Sequence, residues 1–155
     1  MGVFAAVAPD YIASGLPVFP VDTRAKRPAV KGWQKASCRA TAVWAEKFAD
    51  ADGVGLVMGQ RTRLVEVDVD AVGDAPLAHA LERFGETPIT IRTASGKSKA
   101  WYRHNGEGRT IRVPGDLPVD LLGAGYTVAP PSYRPDLGAA YQFLTGGLDD
   151  IDKLP

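Results

Sequence analysis

Apolar and polar positions change over in short blocks along this chain, and the blocks alternate between helical and strand periodicity. Residues 3–14 carry Phe4, Val7, Tyr11 and Ile12 at near-helical spacing and read as a helix. Gly15 suits its C-terminal stop, and Pro9 marks a kink or the true helix start. Residues 16–21 read as a strand with Val18 and Val21 in the core, and Pro17 and Pro20 put it at an edge. A basic loop occupies residues 22–32. Residues 41–50 form a helix offering Val43, Trp44 and Phe48 to the core. Residues 53–58 are a short buried strand and residues 63–70 the next, with a turn at 59–62 short enough for a hairpin. In residues 76–84, Leu77, Leu81 and Phe84 stand at i, i+4 and i+7 of a helix that Gly85 ends. Strands at 87–93 and 100–104 flank the loop 94–98. Strands at 119–122 and 126–128 are separated by Gly123-Ala124-Gly125, and the last strand is 140–144. Helices and strands mix without regular βαβ alternation. The expected class is therefore α+β (mixed α/β), an antiparallel-rich sheet flanked by helices.

Composition narrows this picture in three ways. A chain of 155 residues, 45% of them hydrophobic, is long enough for one core, so a single domain over 1–155 is expected. Lys+Arg and Asp+Glu balance at 18 each, so no global field draws the protein onto a polyanion, and nucleic-acid contact has to come from a local patch. Cys38 is the only cysteine, so no intrachain disulfide forms. Residues 1–8 lack a basic signal-peptide region, and no apolar run is long enough for a membrane span. A cytoplasmic protein with no membrane partner is the expectation.

The candidate chemistry begins at Val67-Asp68-Val69-Asp70, after the apolar run 64–67. Side chains two apart on a strand share a face, so Asp68 and Asp70 stand together with Val67 and Val69 on the other side. Two adjacent carboxylates are either solvated acids at a strand end or ligands of a hard divalent cation. Asp120 lies within an apolar strand, where an unpaired carboxylate is costly; it caps a turn, pairs with an arginine, or joins the same site. The loop Thr93-Ala94-Ser95-Gly96-Lys97-Ser98-Lys99 offers backbone N–H groups, hydroxyls and ammonium groups to a phosphate, although it lacks the Walker A spacing. Lys26, Arg27 and Lys31, with Arg24 and Trp33 nearby, suit phosphates and a stacked base, while a Trp in such a loop also serves as an anchor to the core. Ser132, after the rigid Pro130-Pro131, is a candidate donor to a ligand oxygen. His79 and His104 read as ordinary surface or core histidines.

Taken in order, these pieces resemble the primase-polymerase (prim-pol) N-terminal domain of the archaeo-eukaryotic primase superfamily. Gly15-Leu16-Pro17-Val18-Phe19-Pro20, Lys26-x-Pro28 and Gly32-Trp33 match its N-terminal signature. Gly53-Val54-Gly55-Leu56-Val57-Met58-Gly59, then Val67-Asp68-Val69-Asp70, match the strands that bring its first two carboxylates. Thr93-Ala94-Ser95-Gly96 matches the start of its nucleotide loop. Val119-Asp120 matches its third carboxylate, and the residues from Gly123 to Ser132 match the segment after that carboxylate. The resemblance covers nearly the whole chain and implies a primase-polymerase-like catalytic core with an RRM-like portion. It further implies DNA or RNA synthesis from nucleoside triphosphates on a template. Asp68, Asp70 and Asp120 would be catalytic and would hold Mg²⁺ or Mn²⁺. Ser95, Gly96, Lys97, Ser98, Lys99 and Ser132 would bind nucleotide, and Lys26, Arg27, Lys31 and Trp33 would meet nucleic acid or phosphate. Implied partners are nucleoside triphosphates, single-stranded or primed nucleic acid, and a helicase encoded in the same or a neighbouring protein; the chain is short for a family that often continues into such a part.

Three positions depart from the family pattern. Lys97 replaces the second loop glycine, Lys99 stands where a triphosphate-contacting histidine is usual, and Leu122 stands where an arginine is usual. A lysine offers a phosphate a point charge without the geometry of an imidazole. These departures favour a degenerate homologue that binds nucleotide or nucleic acid without polymerising; the three acids favour a catalyst. A metal-dependent phosphodiesterase or nuclease would use the same acids but has no need of Lys97, Ser98 and Lys99.

Overall fold

A computed structural model describes all residues, 1–155. In chain order the elements are α1 (Val3–Ala13), β1 (Val18–Asp22), β2 (Arg27–Pro28), α2 (Cys38–Lys47), β3 (Gly53–Val57), β4 (Leu64–Val69), α3 (Asp74–Phe84), β5 (Thr90–Arg92), β6 (Ser98–Arg103), β7 (Arg109–Thr110), β8 (Val119–Leu122), β9 (Tyr126–Ala129), β10 (Tyr133–Arg134), β11 (Ala139–Ala140) and β12 (Gln142–Thr145). Short 3₁₀ helices lie at Trp33–Lys35 and Leu148–Lys153. Every strand pairing is antiparallel, which with the three helices makes the class α+β. The chain forms two compact units, one of residues 1–57 with 126–141 and one of residues 58–125 with 142–155.

In the first unit the sheet runs β2-β1-β3-β9. β3 is buried along its whole length because its two glycines leave room for the neighbouring strand: a β-carbon on Gly55 would lie 2.3 Å from the Phe19 ring. Phe19, Trp33 and Tyr126 then close into an aromatic trio with ring centroids 5.0–5.4 Å apart. α2 is set by Ser37, whose hydroxyl accepts from the Ala40 N–H at 3.1 Å as an N-cap. Thr41 pins this helix to β1 by donating to the Val18 carbonyl at 2.7 Å and accepting from the Val18 N–H at 2.9 Å. The helix thus starts three residues before the expected Thr41, and Thr41 rather than Val43 is its core residue; Val43 is exposed. Pro9 lies inside α1, which begins at Val3. β1 is not an outer strand: β2 pairs with its last two residues, and the buried Pro20, paired with Val54 of β3, accepts from the Ala29 N–H at 2.9 Å on its other side.

The second unit holds the larger sheet, ordered β12-β5-β6-β4-β8-β7. Val65, Val67 and Val69 of β4, Ala100 and Tyr102 of β6, and Val119 of β8 form one apolar face against α3, through Ala80 with Leu81 and Phe84. Burying each of the three valines of β4 in this face contributes about 1.5–3 kcal/mol. The expected hairpin between β3 and β4 does not form. The turn makes a single bridge, Gly59 to Leu64, and the two strands pair with different partners, β3 with β1 and β9, β4 with β6 and β8. The expected last strand, 140–144, is split at Tyr141 into β11 and β12. Ser98 belongs to β6 rather than to the preceding loop.

Candidate active site

The polar face of the larger sheet is assembled by register. β4 turns Glu66, Asp68 and Asp70 to the side opposite its valines, and the Asp70 N–H bonds to the Pro118 carbonyl at 2.9 Å, extending the ladder one residue past the strand. Across β4 and β8, Asp68 lies directly opposite Asp120, and Glu66 opposite Leu122. Across β4 and β6, Asp68 lies opposite Lys99, and Glu66 opposite Trp101. One continuous antiparallel ladder therefore sets three aspartates, a glutamate and a lysine beside each other.

Each acid has a different electrostatic setting. Glu66 is fully buried; it accepts from the Trp101 indole N–H at 3.0 Å and pairs with the Lys99 ammonium at 3.5 Å. Asp68 is pushed up to about 6, first by burial and then by the Glu66 carboxylate, with Asp120 and Asp70 adding to the push and Lys99 opposing it. Asp70 moves the other way, held below the usual carboxylate range by hydrogen bonds from Lys97 and Arg112. Lys97 pairs with Asp70 Oδ1, and the Arg112 guanidinium reaches Oδ2 at 2.5 Å. The Arg112 backbone N–H donates to Asp120 Oδ1 at 2.8 Å.

A hard divalent cation fits the chemistry of this donor set. The ligands on offer are carboxylate oxygens, and Asp68 is an anion that its surroundings leave short of positive charge. No three His, Cys, Asp or Glu side chains close around one point as the chain stands. Both oxygens of Asp70 are taken by protein cations, so Asp70 has to exchange partners to ligate a metal.

The residues expected to bind nucleotide divide. Thr93 to Lys97 form a tight turn closed by Thr93 N–H to the Lys97 carbonyl at 2.9 Å and Lys97 N–H to the Thr93 hydroxyl at 3.1 Å. Ser95 is exposed at its tip, and Gly96 takes a left-handed φ of 90° that favours glycine. Arg92 staples this turn from behind, donating to the Gly73 and Gly96 carbonyls and to the Ser98 hydroxyl at 2.8 Å. Ser98 is thereby turned to the apolar side with Val69, away from the aspartates, because it alternates with Lys97 and Lys99 along the strand. Lys99 shares the aspartate face but is buried against Glu66.

The remaining expected residues belong to the first unit. Lys26, Arg27 and Lys31 are exposed on the β1–β2 hairpin and the bend after it. Trp33 is half-buried in the aromatic trio, so its ring anchors the segment. Ser132 is fully buried and donates to the Ala129 carbonyl at 2.6 Å while accepting from the Val54 N–H at 2.7 Å. Its hydroxyl holds the turn after β9 onto β3. His104 contacts the Glu107 carbonyl through its ring and His79 is exposed on α3, both as ordinary histidines.

Two residues at the site were missed by sequence reasoning. Glu66 continues the two-residue alternation of Asp68 and Asp70, and that signal was available. Arg112 lies in an irregular loop with no periodicity to mark it.

No curated protein matches this chain. Residues 8–155, spanning both compact units, match the family described as bifunctional DNA primase/polymerase, N-terminal. With that match over nearly its whole length, the chain belongs to the prim-pol N-terminal domain family, whose function is of primase/polymerase type.

Proposed function

We propose that this domain is a metal-dependent nucleotidyltransferase that extends DNA or RNA from nucleoside triphosphates on a single-stranded or primed template. The observation that carries the reading is the register Asp120–Asp68–Lys99 across three adjacent strands, with Asp70 one step along the same face. Two bound Mg²⁺ or Mn²⁺ ions supply activation of a 3′-hydroxyl and neutralisation of phosphate charge in such a reaction. Asp68, Asp70 and Asp120 would hold them, all from strand or strand-end positions whose geometry is fixed by the ladder. The 93–97 turn presents Ser95, Gly96 and Lys97 at its surface for the triphosphate. Exposed Lys26, Arg27 and Lys31 would meet nucleic-acid phosphates.

A second reading, nucleotide or nucleic-acid binding without polymerisation, is favoured by one observation: Lys99 is committed to a buried glutamate. The test is incubation with Mn²⁺, labelled nucleoside triphosphates and a primed single-stranded template, beside Asp68→Ala. Extension by the native chain and none by the variant supports the polymerase. Nucleotide binding without extension selects the second reading, and shortening of the template would point to a nuclease.

A further inference from the structure

Arg112 contacts two of the aspartates, one through its side chain and one through its backbone. Its guanidinium reaches Asp70 Oδ2 at 2.5 Å, and its own backbone N–H bonds Asp120 Oδ1 at 2.8 Å, so one residue spans two of the three aspartates. It does so from a left-handed backbone conformation, φ 57°, which a residue with a β-carbon adopts only when its surroundings hold it there. The holding groups are those same two carboxylates. Lys97 completes the arrangement on Asp70 Oδ1. The Arg112 and Lys97 side chains are 54% and 42% exposed, whereas that of Lys99 is 9% exposed and paired with Glu66.

We propose that Arg112, with Lys97 beside it, is an exchangeable counter-ion of the carboxylate cluster: it holds Asp70 in the metal-free protein and passes to the triphosphate oxygens of the nucleotide when a divalent cation takes Asp70. The inference rests on the metal-site reading above. A divalent cation at Asp70 would meet the guanidinium and the ammonium at contact distance, and like charges that close repel. A triphosphate ligating that cation brings oxygens to the displaced groups, and a guanidinium pairs with phosphate in a bidentate fork. The same arginine therefore opposes the metal when no nucleotide is present and favours the nucleotide once the metal is bound. A residue that only supported the loop would shift both affinities in one direction.

The test measures two affinities on the full chain, for Mn²⁺ alone and for ATP at saturating Mn²⁺, in the native protein, Arg112→Gln, Arg112→Lys and Asp68→Asn. Arg112→Gln should bind Mn²⁺ about two- to fivefold more tightly, the worth of one exposed ion pair. It should bind ATP about tenfold more weakly, the worth of a lost charge-assisted hydrogen bond. Arg112→Lys, which keeps the charge, should recover part of both changes. Mn²⁺ affinity unchanged or weakened in Arg112→Gln, or ATP affinity unchanged, overturns the exchange. If Asp68→Asn binds Mn²⁺ as the native chain does, the metal site itself fails and the exchange with it. If Asp68→Asn loses Mn²⁺ while Arg112→Gln leaves it unmoved, the exchange alone is wrong.

Discussion

Asp68 carries an electrostatic burden on the polar sheet face, and that burden has a measurable sign. Its carboxyl is raised from the ordinary 3.8 to about 6, chiefly by burial and by Glu66. Between those values the folded chain keeps a proton that the unfolded chain has released. The native state then binds more protons, so stability falls as pH rises through this window and stays at the lower level above it. Asp68→Asn removes the effect. Without divalent ions, the variant should melt above the native protein at pH 7, and the gap should shrink towards pH 4. An equal gap at both values would mean that ionised Asp68 costs the fold nothing. Mn²⁺ should raise the melting temperature of the native chain at pH 7 and leave that of Asp68→Asn where it was, because a ligand that binds only the native state stabilises by mass action. Asp68 and Asp70 were legible in the sequence because strand alternation fixes which side chains share a face, whereas Asp120, on another strand, joined them only through the family resemblance. Glu66 was equally legible by that rule, yet it sits in an otherwise apolar run that reads as core. Arg112 was not, because its position depends on how the segment between β7 and β8 closes, which no periodicity encodes.

At the scale of elements, the first unit depends on close approach rather than on propensity. β3 lies so near β1 that Gly55 faces the Phe19 ring directly, and Phe19 is wedged against Trp33 and Tyr126. Gly55→Ala has no flexible neighbour to yield, so it should destabilise by about 1–3 kcal/mol, as overpacking of a filled core does. Thr41→Val should cost a similar amount for another reason: it leaves the Val18 N–H and carbonyl without the hydroxyl that pairs them, and an orphaned buried group costs about 1–3 kcal/mol. Urea unfolding of both variants, read as a midpoint shift at constant slope, checks each. These same contacts explain where element boundaries escaped the sequence. Helix α2 starts at Cys38 because the Ser37 hydroxyl caps it, a signal that the spacing of Val43, Trp44 and Phe48 hides. The short turn at 59–62 looks like a hairpin loop in sequence, but strand pairing is decided by which long-range partner completes each ladder. β4 satisfies its ladder with β6 and β8, so the turn serves as a connection.

At the scale of the whole molecule, the charge balance limits how nucleic acid can be held. With Lys+Arg and Asp+Glu equal at 18, long-range attraction to a polyanion is absent, and binding has to rest on a few cations facing phosphate at close range. Several of the candidates are already occupied by acids of the chain itself: Lys97 and Arg112 by Asp70, Lys99 by Glu66, Arg134 by Asp136. Exposed Lys26, Arg27 and Lys31 have no ion pair of this kind within 4.0 Å. If these three meet a single strand, each releases condensed counterions, and their joint replacement by alanine should flatten the plot of log affinity against log salt by about 2, at about 0.7 per phosphate contact. The loss should be uniform across template sequences, because phosphate contacts carry no base information. Mn²⁺ affinity should stay unchanged, since none of the three touches the aspartates. Fluorescence anisotropy of a labelled oligonucleotide over a salt series reads the slope directly. A triple variant with the native slope would remove Lys26, Arg27 and Lys31 from the nucleic-acid interface.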